Sequence, residues 1–279
     1  MERTDKEASL RENIAKRGSM LVGFSGGVDS GLLAVLAHDL LGPRSRCVLL
    51  DSPVVPRAAI REAQEIAEEL GLSLEIIPAP HMESDMFRKN PVDRCYHCKK
   101  ISARILKKRA GELGIAWVAD GTHTSDTTVH RPGIHASDEE GILHPFIEAG
   151  ITKEDIRAIA RRRGLRFWDK PSAACLSSRI PYGEEITTGT LAMIESAEDG
   201  LRKRGVRQLR VRSHAGIARI EADEEGMAII FAHKNEVVSA LRSIGFSYVT
   251  LDLAGYRTGS MDEPLNAVRS DHDQEQESR

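Results

Sequence analysis

The sequence predicts an α/β protein in which a parallel-sheet domain is followed by a smaller α+β domain. Three observations carry this. Short apolar runs alternate with helix-spaced segments from residue 20 onward, the order of β and α units that builds a parallel sheet. The runs are nearly continuous in Val, Ile and Leu, as in strands buried on both faces. From residue 184 the order changes to helix, strand, strand, helix, strand, and at 279 residues the chain has the length for a large domain and a smaller one.

Residues 1–17 are charged and read as an amphipathic helix, with neither the apolar segment nor the cleavage site of a secretion signal. Residues 20–24 form the first strand and run into a glycine-rich turn. Leu32, Leu33, Val35, Leu36 and Leu40 then stand at helical spacing and place a helix over 30–41. A strand at 47–50, a helix over 56–70 stopped by Gly71 and a strand at 72–77 follow. The next cycle is a helix over 96–113 and a strand at 116–119, and a helix over 153–163 with a short strand near Phe167 completes the first domain, 1–183. The second domain, 184–263, reads as a helix over 191–203, strands at 208–213 and 217–221, a helix over 226–244 and a strand at 248–253. The tail 264–279 has almost no apolar residues and is expected to be mobile.

Composition narrows the function classes. With 41% hydrophobic, 29% charged and 4% aromatic residues the chain is far from disordered or fibrous proteins. No apolar stretch approaches the roughly 20 residues of a membrane span. A net charge of -3 argues against a nucleic-acid binder, and basic strips such as Arg161, Arg162 and Arg163 suit the solvated face of a helix. Four cysteines are too few for a disulfide framework, and point to metal or redox chemistry in the reducing cytoplasm.

The first strand ends at Phe24, Ser25, Gly26, Gly27, Val28, Asp29 and Ser30. Between a strand and a helix such a loop presents backbone N–H groups and the helix dipole to an anion. It lacks the Lys-Ser/Thr ending of the kinase-type P-loop and the spacing of the dinucleotide fingerprint. A tight turn with Ser30 capping the helix is the plain alternative. SGGVDS (25–30) resembles the signature of the PP-loop ATP pyrophosphatases, which share the adenine nucleotide alpha hydrolase-like fold. The resemblance implies that Ser25, Gly26, Gly27 and Ser30 hold the pyrophosphate end of ATP while Asp29 helps hold Mg²⁺. It also places nucleotide contacts at Asp51 and Ser52, otherwise a polar turn, and at Asp120 and Gly121, at the end of the fourth strand where open sheets bind ligands.

Cys95 and Cys98 stand at a helix start and precede Lys99 and Lys100. Two thiols at this spacing suit a metal or a redox pair, yet structural zinc needs two more ligands. Cys47 lies in an apolar strand. Cys175 lies in a polar loop with Lys170 and Arg179 nearby in sequence, cations that would lower a thiol pKa.

These segments together resemble the LarE family, ATP-dependent sulfur transferases in the synthesis of the nickel-pincer nucleotide cofactor of lactate racemase. The resemblance is carried by SGGVDS (25–30), NPVDRCYHCKK (90–100), ADGT (119–122), RPG (131–133), WDKPSAACLSSRIPYG (168–183), RVRSH (210–214), ARIE (218–221) and LDLAGYRTGSM (251–261). It implies a pyridinium dicarboxylate mononucleotide substrate, adenylated on a carboxylate with release of pyrophosphate and then converted to a thiocarboxylate. It implies nucleotide contacts including Lys99, substrate contacts at Arg179, Arg210 and Arg212, and a homo-oligomer. Sulfur would come from a four-iron four-sulfur cluster on Cys95, Cys98 and Cys175, or from Cys175 itself by sacrifice. His123 departs from the Asn expected after Asp-Gly-Thr, near Asp126 and Arg131. The competing expectations are a tRNA thiolase, which should carry more basic surface, an amide-forming PP-loop synthetase, which leaves three cysteines unexplained, and a nucleotide-sensing or metal-carrying module without turnover.

Overall fold

The computed structural model describes residues 3–127, 132–171, 174–257 and 259–261. The tail expected over 264–279, and Arg131, lie outside the described residues. The chain forms two compact units, one ending at Ala174 and the other beginning at Cys175, where the sequence placed the division at 183/184. The earlier break has a physical reason, since the turn Leu176–Arg179 is tied by Arg179 to Glu198 within the second unit.

In chain order the first unit runs α1 (Arg3–Arg17), β1 (Met20–Gly23), α2 (Val28–Leu41), β2 (Ser45–Asp51), α3 (Arg57–Glu69), β3 (Leu74–Pro78), α4 (Asp85–Arg88), α5 (Arg94–Glu112), β4 (Val118–Ala119), α6 (Pro132–Glu139), α7 (Pro145–Glu148) and α8 (Lys153–Arg162). The strands form a parallel sheet in the order β3-β2-β1-β4. Leu143 adds one parallel bridge to Ala119 beyond β4, an edge that the sequence did not mark.

Successive strand residues point to opposite faces, and both faces are covered. Met20 and Val22 of β1, with Cys47 and Leu49 of β2, pack with Leu10 and Ile14 of α1, Leu32 and Leu36 of α2, and Ile60 and Ala63 of α3. Leu21, Val48 and Val118 take the other face, against Ala103, Leu106 and Ala110 of α5. Cys47 is core, as its sequence context suggested, and burial pushes its thiol up to about 12.

The strand expected near Phe167 is not formed. That residue lies in a turn, and its buried ring sits where Gly31 of α2 has no side chain. A Cβ on Gly31 would stand 2.6 Å from the ring. The aromatic run thus serves as a plug against a helix and not as a sheet edge. Because all four strands are parallel, the loops that follow β1, β2 and β4 gather at one edge of the sheet.

The second unit contains α9 (Thr188–Arg202), β5 (Leu209–His214), β6 (Ile217–Ala222), α10 (Glu224–Ala232), α11 (Lys234–Ile244) and β7 (Tyr248–Leu251). β5 and β6 are antiparallel, while β7 lies parallel to β6 and is reached by a crossover through α10 and α11. The single helix expected over 226–244 is broken at His233, which closes α10 and opens α11. No Gly or Pro stands there to mark the break.

Glu198 of α9 pins this unit together. Its carboxylate accepts from Arg179 at 3.0 and 3.2 Å, from Arg202 at 2.8 Å and from the Val211 N–H of β5 at 3.1 Å. Burial alone would raise the Glu198 carboxyl, and the Arg179 guanidinium leads the groups that hold it below the usual range. Arg179 and Glu198 are 3% and 1% exposed, so removing one partner strands a buried charge. Arg179→Met should lower the unfolding free energy by about 3–5 kcal/mol, measured by urea denaturation, and a loss under about 1 kcal/mol would show the pair to be dispensable.

Candidate active site

The glycine-rich loop joins β1 to α2. Helix α2 begins at Val28 with Gly27 at its N-cap and no side chain capping it, so Ser30 is not a cap. Instead the Ser30 hydroxyl accepts from the Ser25 N–H at 3.1 Å and shares a hydrogen bond with the Ser25 hydroxyl at 3.0 Å, closing the loop on itself. The two glycines have different reasons. Gly26 sits at φ +70°, and a Cβ there would lie 2.7 Å from that of Ala63 in α3, so both conformation and packing require it. A Cβ on Gly27 would meet nothing closer than the Ser25 hydroxyl at 3.5 Å. No contact within the protein demands glycine at 27, whereas a phosphate lying on the backbone would.

The turn after β4 closes over the start of α2. A Cβ on Gly121 would stand 2.7 Å from the Ser30 nitrogen and 2.8 Å from the Asp29 carbonyl carbon. This approach puts Asp120, Asp29 and Ser30 in one crevice at the sheet edge. Asp120 is nearly buried and accepts from the Lys99 ammonium at 3.0 Å, the Thr122 N–H at 3.0 Å and the His144 ring at 2.8 Å. Burial would raise its pKa, and Lys99 followed by His144 outweigh it and hold the carboxyl well below the usual range. The Asp120 charge in turn raises Lys99. Burial would lower His144, but the Asp120 carboxylate more than offsets that and the histidine ends up raised.

Ser52 follows β2 at the same edge. Its hydroxyl is buried and has no hydrogen-bond partner among the described residues, an orphan group that a nucleotide would satisfy. Asp51 beside it is committed to Arg57 at 2.5 Å. The Asp29 carboxylate, 28% exposed, is a hard oxygen donor suited to Mg²⁺, an ion that fills its remaining positions with phosphate and water. Sequence reasoning missed Lys153 and His144, which converge here, and set Lys170 beside Cys175 where the structure brings it to the glycine-rich loop. The Lys170 ammonium donates to the Gly26 carbonyl at 3.0 Å and pairs with Glu62 at 2.8 Å. Lys153 meets both Asp29 oxygens at 2.6 Å. Lys153 falls in no motif that spacing alone would flag. His123 is buried with its Nε2 3.9 Å from Asp29 and 3.4 Å from Asp126.

The cysteines outside the core form no disulfide among the described residues. Cys95 is exposed and Cys98 half-buried, on the first turn and a half of α5. Among the described residues no three His, Cys, Asp or Glu side chains are grouped as a metal ion requires. In the second unit the Cys175 carbonyl accepts from Arg179 at 2.7 Å and from the Ser178 hydroxyl at 2.8 Å, while its side chain stays half-exposed. The two cations placed near this thiol by sequence are therefore engaged, Lys170 with Gly26 and Glu62, and Arg179 with Glu198 and the Cys175 backbone.

Of the arginines expected at the substrate, Arg212 is buried and donates to the Ser178 carbonyl at 2.7 Å, Glu221 at 2.8 Å and Ser260 at 2.9 Å. Arg179 and Arg212 thus serve the packing of the second unit. Arg210, on the same face of β5, lies 5.3 Å from the Tyr256 ring and makes no ion pair among the described contacts, which leaves it the arginine best placed for a ligand anion.

Relatives match this arrangement over nearly its full length. A family described as NAD synthase matches residues 3–109. The pyridinium-3,5-bisthiocarboxylic acid mononucleotide synthase of Lactiplantibacillus plantarum is 36% identical over 95% of this chain and 96% of its own. The chain belongs to the LarE family. An uncharacterized protein of Synechocystis is 38% identical over 93% of this chain and 98% of its own, and one of Methanocaldococcus jannaschii 30% identical over 90% and 95%. Family membership makes the chain an ATP-using sulfur transferase of PP-loop type, and no helix among the described residues is long and apolar enough to cross a membrane.

Two predictions follow from the crevice. Gly121→Ala should leave a folded protein that loses ATP binding by about tenfold or more, because the clash is with backbone and shifts the loop; calorimetric titration with ATP checks it, and unchanged affinity would refute the close approach. The raised His144 pKa lies above the unfolded value of 6.5, so its stabilisation is complete below that pH and fades as pH rises through the folded value. The melting temperature of His144→Gln should therefore fall further below the parent at pH 6 than at pH 9, both roughly chosen to bracket the transition.

Proposed function

We propose that the chain converts a carboxylate of a pyridinium dicarboxylate mononucleotide to a thiocarboxylate, using ATP, as a step in making a nickel-pincer cofactor. The observation that carries the reading is the crevice beside Gly27 and the Asp29-Ser30 turn with the unpartnered Ser52 hydroxyl at the same sheet edge, in a chain 36% identical to the Lactiplantibacillus enzyme over 95% of its length. The loop after β1 receives the β and γ phosphates. A substrate carboxylate oxygen attacks the α phosphorus, the bond to the bridging oxygen breaks, and pyrophosphate leaves with that electron pair. The carboxyl carbon then carries AMP, a far better leaving group than oxide. A sulfur nucleophile adds to that carbon and AMP departs.

Mg²⁺ held by Asp29 offsets phosphate charge when bound. Ser25, Ser30 and the backbone of Gly26 and Gly27 orient the pyrophosphate, Ser52 and the Asp120-Gly121 turn flank the nucleoside, and Lys99 adds charge beside Asp120. On the acceptor side Arg210 is the leading anion contact, with Arg179 and Arg212 shaping the surface from beneath. For sulfur, the reading retains two sources. An iron-sulfur cluster would be held by Cys95, Cys98 and Cys175 and would supply a sulfide as the nucleophile. Sacrifice of Cys175 needs only that thiol. The Cys175 sulfur, its proton lost to solvent, bonds to the activated carbon as AMP leaves, and loss of the Cα proton to water with cleavage of the Cβ–S bond then frees the thiocarboxylate and leaves dehydroalanine. Cysteines outside any disulfide suit a reducing cytoplasm, and exposed Phe231, Tyr248 and Leu253 of the second unit support self-association.

Anaerobic incubation with ATP, Mg²⁺ and the dicarboxylate mononucleotide should yield AMP, pyrophosphate and thiocarboxylate, followed by mass spectrometry. Asp29→Ala should lose about 10²-fold or more of this activity. A deficit of ~34 Da on the Cys175 peptide after turnover of iron-free protein assigns the sacrificial route, while near-stoichiometric iron with Cys175 intact assigns the cluster. Full thiocarboxylate formation by Cys175→Ala would refute both.

A further inference from the structure

Asp29 is held before any nucleotide arrives. The Lys153 ammonium lies 2.6 Å from each of its carboxylate oxygens, and the two side chains are 21% and 28% exposed. This is not a chance surface pair. The Lys153 backbone is fixed twice, its N–H donating to the Ser125 hydroxyl at 3.2 Å and its position set as the first residue of α8 by a reciprocal Thr152-Asp155 cap. Asp155 is itself held by Lys6 of α1 at 3.1 Å. Asp29 is equally fixed, since the turn at Gly121 presses on its backbone. Among the described residues the other charged or titratable group facing Asp29 is His123, at 3.9 Å.

A carboxylate that gives both oxygens to one ammonium is already neutralised. A divalent ion arriving alone must displace that ammonium and leave it beside a second positive charge. An ion arriving with ATP brings the group that receives the ammonium, because a lysine ammonium is a compact point charge on a flexible stem and pairs readily with phosphate oxygens. We propose that Lys153 is a positioning residue that interlocks metal and nucleotide, occupying the Asp29 carboxylate in the free protein and moving to the polyphosphate when the metal takes its place. This rests on the ATP reading of the crevice and adds to it a coupling, in which metal bound at Asp29 and ATP strengthen each other by the same factor.

The interlock predicts effects of opposite sign from one substitution. In Lys153→Met the carboxylate is freed, so Mg²⁺ alone should bind about tenfold more tightly than to the parent, while ATP with excess chelator should bind about tenfold more weakly. Calorimetric titrations of Mg²⁺ alone and of ATP in chelator, without turnover, read both. A lysine that merely holds the fold would weaken both ligands together and lower the melting temperature. Lys153→Gln serves as the second variant, removing the charge while keeping hydrogen bonding, and should show the same pair of shifts. Metal affinity that is unchanged or weaker in both variants overturns the interlock. If the parent protein itself fails to bind ATP, it is the ATP reading that falls, so the two failures are distinguishable.

Discussion

The first unit depends on one close approach of backbone to backbone. β1 and β4 are neighbours in a parallel sheet, so the loops leaving their ends must meet, and they meet with Gly121 against the first turn of α2. With any side chain there the two loops would stand apart by the width of a methyl group. Everything polar in the crevice is organised around this contact. Asp29 and Ser30 lie on one side of it, Asp120 on the other, and the cations that enter from α5 and α8 are drawn to those carboxylates.

Charge in the crevice is balanced pair by pair. Lys99 meets Asp120, Lys153 meets Asp29 and Lys170 meets Glu62 beside the Gly26 carbonyl. An unpaired cluster of three ammoniums would repel itself and attract any anion in the cell. Paired lysines avoid both costs, and they remain close enough to exchange a carboxylate for phosphate when a divalent ion compensates. In the second unit the logic is reversed. Glu198 and Glu221 are almost wholly buried, each with two arginines, and exchange there would strand a carboxylate in low dielectric. Those pairs hold structure, which is why an arginine-rich strand is not by itself evidence of an anion site.

Much of this was legible from the sequence because it is local. The glycine-rich turn, the strand and helix cycles and the β5-β6 hairpin follow from periodicity over a few residues, and SGGVDS stands at the strand-to-helix turn where the sequence put it. What escaped depends on contacts distant in sequence. Lys153 is 124 positions from Asp29, and only the folded sheet edge brings them together. The burial that turns Arg179 and Arg212 inward depends on Glu198 and Glu221, carboxylates on other elements that no spacing rule links to them. Phe167 was misread for the related reason that an apolar residue near a helix end suits a strand or a plug equally well, and Gly31 decides between them. His233 breaks a helix without any residue that commonly does so.

The cysteines show how placement can decide chemistry when composition does not. Cys47 is sealed in the core, where burial keeps its proton in place and its sulfur from reacting. Cys175 is the opposite case. Three donors, the Arg179 guanidinium, the Ser178 hydroxyl and the Ser178 N–H, converge on its carbonyl and fix the backbone, while the side chain remains half-exposed. A sulfur displayed from a pinned turn has little backbone entropy left to lose there. None of the three donors bonds the sulfur itself, so the carbonyl contacts do not depend on the side chain. The surrounding turn would keep its hydrogen bonds after the sulfur has gone.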